Sequence, residues 1–218
     1  MEQLTLATPE QMLVIKEISN HPSFFSRFYF TGGTALSYWY LKHRHSDDLD
    51  FFSEKPFDMS ELMSIIKQWS VKHSFEIILD KFENMNIFHL TFSNKKNLKV
   101  DFVYHPHKRI ETGVIWNTIA IDSLLDIAIN KLLTINQRTT VKDFVDLYFL
   151  LQTHSLYDLM EGVKVKYGVK LETILIASDF LKVDDFTFLP RMIKPLKLVD
   201  LVTFFHEQAT KLAKESVE

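Results

Sequence analysis

The chain has 218 residues, a net charge of −3 and no cysteine. This length accommodates one large domain or two small ones, and the lack of cysteine excludes disulfides and thiolate metal sites. The slightly acidic balance argues against indiscriminate nucleic-acid binding but is compatible with a local basic groove. The N-terminal segment has no basic region followed by an apolar run, and no stretch approaches a transmembrane length. We therefore expect a cytoplasmic protein without membrane contact.

The first predicted element is a helix that begins after Thr8. Thr8 is suited to be its N-cap, Pro9 favours the first helical position, and Gln11 completes a capping box. Apolar residues at helical spacing continue to about Asn20, and residues 24–31 then lead into a first strand.

A Gly-Gly turn separates this strand from a short helix over residues 34–41 and a second strand. Gly32 and Gly33 form the turn, and Asp48 and Asp50 lie two residues apart on the second strand. Side chains at alternate strand positions share a face, so the two carboxylates converge on one spot. Like charges at this distance are unfavourable unless a cation lies between them, and Mg²⁺ prefers carboxylate and phosphate oxygens. Because glycine lets backbone N–H groups approach an anion, the stretch predicts a metal-assisted nucleotidyl transfer site.

The loop that precedes the two carboxylates is basic, with the sequence Lys42-His-Arg-His-Ser46. Such a run usually lies in solvent, but its position beside a predicted phosphate site makes Arg44 a candidate phosphate contact. We expect His43 and His45 to lie at the surface rather than to bind metal.

The middle of the chain predicts a capped helix and an antiparallel meander. Asp58 and Glu61 form a capping-box pattern for a helix that continues to about Lys72. Short polar turns then separate three β-rich runs. These runs cover residues 75–82, 87–92 and 98–104.

The third run adds another carboxylate to the predicted site. Lys99 and Asp101 are two residues apart and therefore share a strand face. With Asp48 and Asp50, Asp101 makes a trio able to hold two divalent ions. The basic cluster at residues 105–109 is interpreted as a surface loop, a phosphate-contacting patch or a metal clamp.

From Asp122 onward the sequence is almost entirely helical in period. We expect Asp122 to be an N-cap and the following apolar residues to form a buried stripe. This stripe contains Leu124, Leu125, Ala128, Leu132 and Ile135. Residues 138–140 interrupt the helix, a second helix covers 141–152, and further helices are predicted near 170–180 and 198–214. The ordinary account of the charged residues in this half is a charged surface between two helices. They are Asp126, Lys131, Arg138, Lys142, Asp143 and Asp146.

Taken together, these motifs resemble the AbiEii-type abortive-infection toxins, a branch of the polymerase-β-like nucleotidyltransferase superfamily. The first part of the pattern is Gly32-Gly33-Thr34-Ala-Leu followed by Arg44-x-Ser46-x-Asp48-Leu-Asp50. Asp101 matches the third carboxylate of the superfamily, and the Lys131 to Asp146 segment resembles its third motif. The spacing between Thr34 and Asp48 is slightly long, and Thr34 replaces the more common serine.

This resemblance implies an α/β (α+β) nucleotidyltransferase fold with a mixed sheet, followed by a C-terminal helical bundle. The expected domains are residues 1–118 and 119–218, with the nucleotide in the cleft between them. The implied substrate is an NTP, the implied cofactor is Mg²⁺ at a two-ion site, and the implied partners are an RNA acceptor and an antitoxin protein.

The resemblance also assigns roles to individual residues. Asp48, Asp50 and Asp101 would bind metal, and Asp101 would also orient or deprotonate the attacking hydroxyl. Together with Lys131, these three are the candidate catalytic residues. The candidate nucleotide- and phosphate-binding residues are Gly32, Gly33, Thr34, Arg44, Ser46, Lys99, Arg138, Lys142 and Asp143.

Three classes of function remain open at the level of sequence. The leading hypothesis is transfer of NMP to an RNA, tRNA in particular, by the toxin of a two-gene phage-defence system. The alternatives are nucleotidylation of a small molecule or a protein, and non-catalytic nucleotide binding. The basic clusters at residues 42–45 and 105–109 favour a phosphate-rich acceptor.

Overall fold

The computed structural model describes residues 6–215. Residues 1–5, part of the segment in which we expect no export signal, lie outside the described residues, as do residues 216–218. The chain divides into two compact units. The first contains residues up to 40, 46–108 and 112–122, and the second contains 41–45, 109–111 and residues from 123 onward. The main division therefore lies between residues 122 and 123, whereas the sequence predicts it between 118 and 119.

A seven-stranded mixed sheet is the frame of the first unit, as the predicted fold class requires. Its strands are β1 Phe28–Thr31, β2 Leu49–Ser53, β3 Phe75–Lys81, β4 Met85–Phe92, β5 Asn97–Tyr104, β6 Ile115–Trp116 and β7 Ile119–Ile121. Their order across the sheet is β3-β4-β5-β2-β1-β7-β6. β2 runs parallel to β5 and β1 runs parallel to β7, while the other neighbouring pairs are antiparallel. The predicted meander of β3, β4 and β5 is confirmed; the two short strands β6 and β7 were not predicted.

The helices described in the first unit are α1 Pro9–Asn20, α2 Pro22–Phe25, α3 Gly32–Ala35, which continues as a π-helical turn Leu36–Leu41, and α4 Met59–His73. Helices α1 and α4 begin where the sequence places their caps, whereas α2 was not predicted and α3 begins two residues before the predicted helix over residues 34–41. The capping box of α1 is present in both directions between Thr8 and Gln11. Asp58 caps α4 by accepting hydrogen bonds from the backbone N–H groups of Ser60 and Glu61.

The apolar core of this unit lies on one face of the sheet. The rings of Phe51 and Phe102 are stacked 5.5 Å apart, and Phe25 contacts Phe102. Asp50 and Asp101 directly precede these two phenylalanines, so their side chains point to the opposite face. The predicted carboxylates therefore lie on the face that the aromatic core does not occupy.

The second unit is helical, in agreement with the predicted bundle. Its helices are α5 Leu124–Gln137, α6 Val141–Leu150, α7 Leu156–Tyr167, α8 Thr173–Leu181 and α9 Leu198–Glu215, with a 3-10 turn at Lys182–Asp185. Ala128, Leu132 and Ile135 of the predicted stripe are buried, while Leu124 and Leu125 are half-buried. None of the helices in the described part of the chain combines the length and apolar character needed to cross a membrane.

The predicted N-cap of α5 is wrong by one residue. Ser123 caps the helix, because its hydroxyl accepts the backbone N–H of Asp126. Asp122 instead accepts a hydrogen bond from the Thr31 hydroxyl at 2.7 Å, and its own N–H bonds to the carbonyl of Phe30. Both residues have good N-cap chemistry, and the contact with β1 decides between them.

Helix α7 was not predicted, although its sequence carries a helical pattern. Leu156, Leu159 and Val163 are buried at helical spacing, but Gly162 lowers the local propensity. A Cβ atom at Gly162 would lie 2.5 Å from the Cδ1 atom of Ile129 on α5. The glycine therefore permits close packing of α5 against α7, which local propensity cannot reveal.

Candidate active site

The first predicted cluster forms on neighbouring parallel strands. Asp50 of β2 is paired in register with Asp101 of β5, and Asp48 comes one residue before β2 begins. Parallel neighbours in register carry their side chains on the same face, about 4.8 Å apart. The sheet therefore brings together the carboxylates of Asp50 and Asp101, which are 51 positions apart in the chain.

Asp101 is buried, and only one of its two carboxylate oxygens has a hydrogen-bond partner among the described residues. Its Oδ2 atom accepts a hydrogen bond from Lys99 Nζ at 2.6 Å, while its buried Oδ1 atom has no hydrogen-bond partner in the described part of the chain. Burial raises the pKa of Asp101, and the Asp48 charge adds to the rise, which Lys99 only partly opposes. A bound cation would stabilise the ionised form of Asp101.

Lys99 is the cation that is paired with Asp101. Burial alone would lower its pKa, but Asp101, Asp48 and Asp50 together raise it. All three carboxylates therefore act on one ammonium group. The four side chains therefore interact electrostatically, and the strand register pairs two of them, Asp50 and Asp101.

The turn at Gly32 is matched to Asp50. Gly32 has a φ of +74°, in the left-handed region, and a Cβ atom there would lie 2.1 Å from Asp50 Oδ2. A side chain at this position would thus be both strained and in collision with the carboxylate. Glycine is required here because the turn and the carboxylate occupy adjoining space.

Gln11 positions the loop before β2, a role that the sequence did not reveal. Its Nε2 group donates to the carbonyls of Ser46 and Asp47, each at 3.0 Å, while its Oε1 atom accepts from Thr8 N–H and the Tyr38 hydroxyl. A capping glutamine with both ends of its amide engaged has no distinctive sequence signal. The only indication in the sequence is the capping box itself, which places this side chain at the helix start.

Thr34 also holds this loop. Its buried hydroxyl donates to the backbone carbonyl of Asp48. The residue predicted to bind phosphate therefore uses its hydroxyl to fix the chain immediately before the carboxylates. Gly32, Gly33 and Ser46 are half-buried beside it.

The donors on this face fit a hard divalent cation. Asp48, Asp50 and Asp101 offer carboxylate oxygens, the ligands that Mg²⁺ prefers, and Asp101 Oδ1 has unused capacity. Among residues 6–215, however, no three His, Asp or Glu side chains already surround a common point as metal ligands do. Chemistry and charge therefore suit a cation, and the side chains would rotate to hold it.

The second predicted cluster lies in the helical unit and is centred on Asp146. Arg44 donates two hydrogen bonds to the Asp146 carboxylate, from Nε at 2.6 Å and from Nη2 at 2.8 Å. His43 Nε2 lies 2.7 Å from Oδ1, and Lys131 Nζ lies 2.6 Å from Oδ2. Burial by itself would raise the pKa of Asp146, but the charges of Lys131 and Arg44 hold it well below its usual range.

His43 is neutral in this cluster. Burial lowers its pKa, and the hydrogen bond to Asp146 only partly opposes this effect. Its Nε2–H donates to Asp146, while Nδ1 is buried with no hydrogen-bond partner among the described residues. The prediction that His43 lies at the surface is wrong, whereas His45 is exposed as predicted.

Asp143 links this buried cluster to the surface. It accepts hydrogen bonds from Lys131 Nζ at 2.7 Å, from Arg138 Nε at 2.9 Å and from the Thr140 hydroxyl. Burial would raise its pKa, but Lys131, Arg138 and Thr140 lower it to about 2. The Arg138 side chain is 62% exposed, so it connects a buried carboxylate with solvent.

A third buried aspartate, Asp126, is also fully satisfied. It accepts from Lys166 Nζ at 2.5 Å, from the Ser123 hydroxyl and from the backbone N–H groups of Ile110 and Glu111. The expectation of a charged surface between two helices is therefore wrong for much of this set. Four of its members are buried: Asp126, Lys131, Asp143 and Asp146. Arg138 and Lys142 are exposed.

The predicted site residues thus fall into two groups. The first unit contains Gly32, Gly33, Thr34, Ser46, Asp48, Asp50, Lys99 and Asp101. The second unit contains Arg44, Lys131, Arg138, Lys142 and Asp143. Within the second group, three residues share one buried network with Asp146, which the sequence had not marked as a site residue. They are Arg44, Lys131 and Asp143.

One family model matches most of this chain. The model of the family described as "Nucleotidyl transferase AbiEii toxin, Type IV TA system" matches residues 16–210. An uncharacterized protein of Aquifex aeolicus is 36% identical over 151 residues, which cover 64% of this chain and 66% of that protein. The match thus spans slightly less than two thirds of that relative.

Two solved structures share the fold. JHP933 from Helicobacter pylori is 20% identical, with a TM-score of 0.56 over 94% of this chain and 90% of that one. MenT4, a nucleotidyltransferase toxin from Mycobacterium tuberculosis, is 14% identical, with a TM-score of 0.53 over 97% and 87% of the two chains. The nucleotidyltransferase fold is confirmed, and this chain belongs to the AbiEii family of nucleotidyl transferase toxins.

Proposed function

We propose that this protein is a Mg²⁺-dependent enzyme that transfers NMP from an NTP to an RNA acceptor, with tRNA as the leading candidate. As a cytoplasmic toxin of a toxin–antitoxin or phage-defence system, it would be neutralised by a partner antitoxin. The observation that carries the chemistry is the register pairing of Asp50 with Asp101, with Asp48 two residues from Asp50. Family membership supports the same reaction class.

Three residues would hold the metal. Asp48 and Asp50 would bind the first Mg²⁺, and Asp101 would join them in a two-ion site. Bound there, Mg²⁺ supplies charge neutralisation for the triphosphate and the leaving group. Lys99 holds the Asp101 carboxylate through a 2.6 Å contact with Oδ2.

The transfer step needs a group to accept one proton. The acceptor hydroxyl oxygen forms a bond to the α-phosphorus, the bond from that phosphorus to the bridging oxygen breaks, and pyrophosphate leaves. Asp101 takes the hydroxyl proton. Its unpartnered Oδ1 atom is available for the hydrogen bond to that hydroxyl.

The proposed phosphate contacts of the sheet unit are Gly32 and Gly33, whose backbone permits close approach of the triphosphate. Within the helical unit, the proposed nucleotide-binding residues Arg138 and Lys142 are exposed cations, and Asp143 fixes Arg138 and is itself held by Lys131. Arg44 is linked to Lys131 through Asp146, which both residues contact.

The case for RNA as the acceptor rests on fewer basic residues than the sequence suggests. Within residues 42–45, His43 and Arg44 are buried against Asp146. The cluster at residues 105–109 retains an exposed lysine, Lys108. Each cluster thus keeps one exposed lysine, Lys42 in the first and Lys108 in the second, and these favour a phosphate-rich acceptor; small molecules and proteins are the alternative acceptors.

Label transfer to RNA tests the proposal. The full chain is incubated with total cellular RNA, Mg²⁺ and each of the four NTPs labelled at the α-phosphate. We expect one discrete RNA band to gain label with at least one NTP. The doubly substituted Asp48→Ala/Asp50→Ala protein should give no band, because it lacks two metal ligands.

A matched control separates loss of the site from loss of charge. Asp80→Ala removes an exposed carboxylate from β3 of the same sheet and should leave labelling unchanged. Absence of RNA label with all four NTPs, in a folded protein that binds NTP, refutes the RNA acceptor. Label on protein or on a small molecule in the same mixture would then identify the acceptor.

A further inference from the structure

A row of rings lies next to the carboxylates on the same face of the sheet. Phe52 follows Asp50 by two residues on β2, so both side chains point to the face opposite the aromatic core. Tyr29 of β1 is paired in register with Phe52, and their ring centroids are 6.1 Å apart. Two strand residues span about 7 Å, a separation that one nucleoside can bridge.

The segment that leaves β5 extends this row with two histidines. The backbone N–H of His105 donates to the carbonyl of Ser53 at 2.8 Å, which fixes the segment beside the end of β2. The His105 ring lies 5.2 Å from the Phe52 ring at an interplanar angle of 36°, and the His107 ring lies 5.1 Å from His105. The Tyr29 hydroxyl is 3.4 Å from His105 Nδ1 and helps to orient that ring.

Three of these rings have defined positions and are only partly buried. Tyr29 is fully buried beside Phe52, whereas Phe52, His105 and His107 are half-buried. The core of this unit is built on the other face of the sheet. Half-buried aromatic rings with fixed planes keep part of their surface for a planar ligand.

We propose that Phe52, His105 and His107 form a stacking platform for a nucleobase, and that this base belongs to the end of the RNA acceptor. The assignment to the acceptor rests on the proposed function, while the stacking chemistry itself does not. Every nucleobase has a π-face, so such a platform accepts bases of any sequence. The exposed Lys108 next to His107 adds a cation suited to the acceptor's phosphate backbone.

The position of the platform favours the acceptor over the incoming NTP. The proposed phosphate contacts of the NTP include Gly32 and Gly33, which follow β1 and therefore lie toward the start of the antiparallel strand β2. Phe52 and His105 lie in the other direction, after Asp50 on β2 and after Asp101, just past the end of β5. A base stacked there would bring its own ribose hydroxyl toward Asp101. The platform would thereby align the attacking group with the carboxylate that takes its proton.

Fluorescence of 2-aminopurine tests the platform directly, because stacking on an aromatic ring quenches this base. One probe is a single-stranded RNA of about 12 nucleotides with 2-aminopurine at its 3′ end, within the usual span of such binding sites. The other is 2-aminopurine ribonucleoside triphosphate. The proteins are the full chain, Phe52→Ala and His105→Ala, together with Phe52→Tyr and His105→Phe, which retain a ring.

We expect the native chain to quench the RNA probe. The two alanine variants should lose the quenching and weaken RNA binding by about fivefold to 150-fold, the range for one stacked base. The two ring-retaining variants should restore both, which a general folding defect would not permit. Phe82→Ala, which removes an exposed ring from the turn after β3, is the matched control and should behave as the native chain.

Each other outcome has a definite meaning. Unchanged quenching and affinity in the alanine variants, or no quenching of either probe by the native chain, overturns the platform. Quenching of the triphosphate probe alone retains the platform but overturns its assignment to the acceptor. The assay measures binding without transfer. A chain that quenches the RNA probe but labels no RNA would therefore contradict the proposed reaction and leave the platform supported.

Discussion

Asp101 and Asp146 are both buried aspartates, but their neighbours give them opposite properties. Asp146 has Arg44, His43 and Lys131 around its two oxygens, and although burial would raise its pKa, the charges of Lys131 and Arg44 hold it well below the ordinary value. Asp101 has Lys99 on one oxygen and no hydrogen-bond partner for the other among the described residues, and its pKa is raised.

The difference shows how a structural carboxylate and a candidate ligand can be told apart. In the helical unit, the protein supplies every counter-charge, so the cluster is complete by itself. On the sheet, Asp101 keeps a buried oxygen without a hydrogen-bond partner among the described residues, so this carboxylate is suited to a cation from solution. The following predictions test this contrast, from the largest expected effect to the smallest.

Asp146→Asn should destabilise the protein most. The substitution leaves Arg44 and Lys131 buried without their shared counter-charge, and loss of one partner of a buried ion pair typically costs about 3–5 kcal/mol. Denaturant unfolding of the full chain measures this loss. Glu207→Gln, which neutralises an exposed carboxylate on α9, is the matched control and should change the unfolding free energy by less than about 0.5 kcal/mol. A similar stability for both variants would show that the Asp146 network is dispensable.

Mg²⁺ with an NTP should stabilise the native chain but not the Asp48→Asn/Asp50→Asn variant. A ligand at about 100 times its Kd adds about 2.7 kcal/mol to the unfolding free energy. The variant lacks two of the proposed metal ligands, so its thermal midpoint should not respond. Thermal unfolding with and without the ligands, and after chelation, measures the effect. An equal shift in both proteins would place the metal elsewhere.

Acid should remove the contribution of Asp143 to stability. Its folded-state pKa of about 2 lies below its ordinary value, so as pH falls the unfolded chain binds the proton first. The contribution, about 2 kcal/mol, is therefore fully present above pH 5 and is lost as pH falls from about 4 to 2. Unfolding free energies of the native chain and Asp143→Asn at several pH values should converge in that window. A constant difference across it would contradict the ion-pair assignment.

Gly32→Ala should be more harmful than Gly168→Ala, although both glycines have positive φ. Left-handed backbone costs an alanine about 1–2 kcal/mol at either position. At Gly168 the added Cβ would meet nothing within 4 Å, whereas at Gly32 it would lie 2.1 Å from Asp50 Oδ2. The unfolding free energy should therefore fall further for Gly32→Ala, and the rate of nucleotidyl transfer should also fall. Equal stability losses would show that the turn adapts without moving Asp50.

Asp101→Asn should have the smallest effect on stability, and its sign should differ from that of Asp146→Asn. Because the folded-state pKa of Asp101 is raised, its ionised form destabilises the fold at neutral pH. Removal of the charge should leave the unfolding free energy unchanged within about 0.5 kcal/mol or increase it. Nucleotidyl transfer should nevertheless be abolished. A large loss of stability would mean that Asp101 is a structural partner of Lys99 rather than a free ligand.

Local rules were sufficient for much of the fold. The capping box at Thr8, the Asp58 cap and the three-stranded meander were predicted because each depends on residues that are close in sequence. Predictions failed where a distant contact decided the outcome. Asp122 and Ser123 are equally good caps in isolation, and the hydrogen bond from Thr31, 91 positions away, assigns Asp122 to the sheet unit.

The same distinction between local patterns and distant contacts applies to the candidate site. The spacing of Asp48 and Asp50, the glycine turn and the position of Asp101 were available from the sequence, since strand periodicity and motif spacing are local. The burial of His43 and Arg44 was not, because it depends on Asp146, more than 100 positions later. Gln11 was likewise predicted only as a capping residue, since its contacts with Ser46 and Asp47 are non-local.

By itself, the sequence determined the reaction class and the carboxylates proposed to perform it, through motifs that specify the AbiEii family. Only the tertiary structure decided which carboxylates the protein neutralises for itself. Arg44 and Asp146 are 102 positions apart, and their pairing gives one cluster its own cations while Asp101 keeps an unpartnered oxygen. The physical reason is that charge interactions depend on distance through space and on burial, neither of which a sequence motif contains.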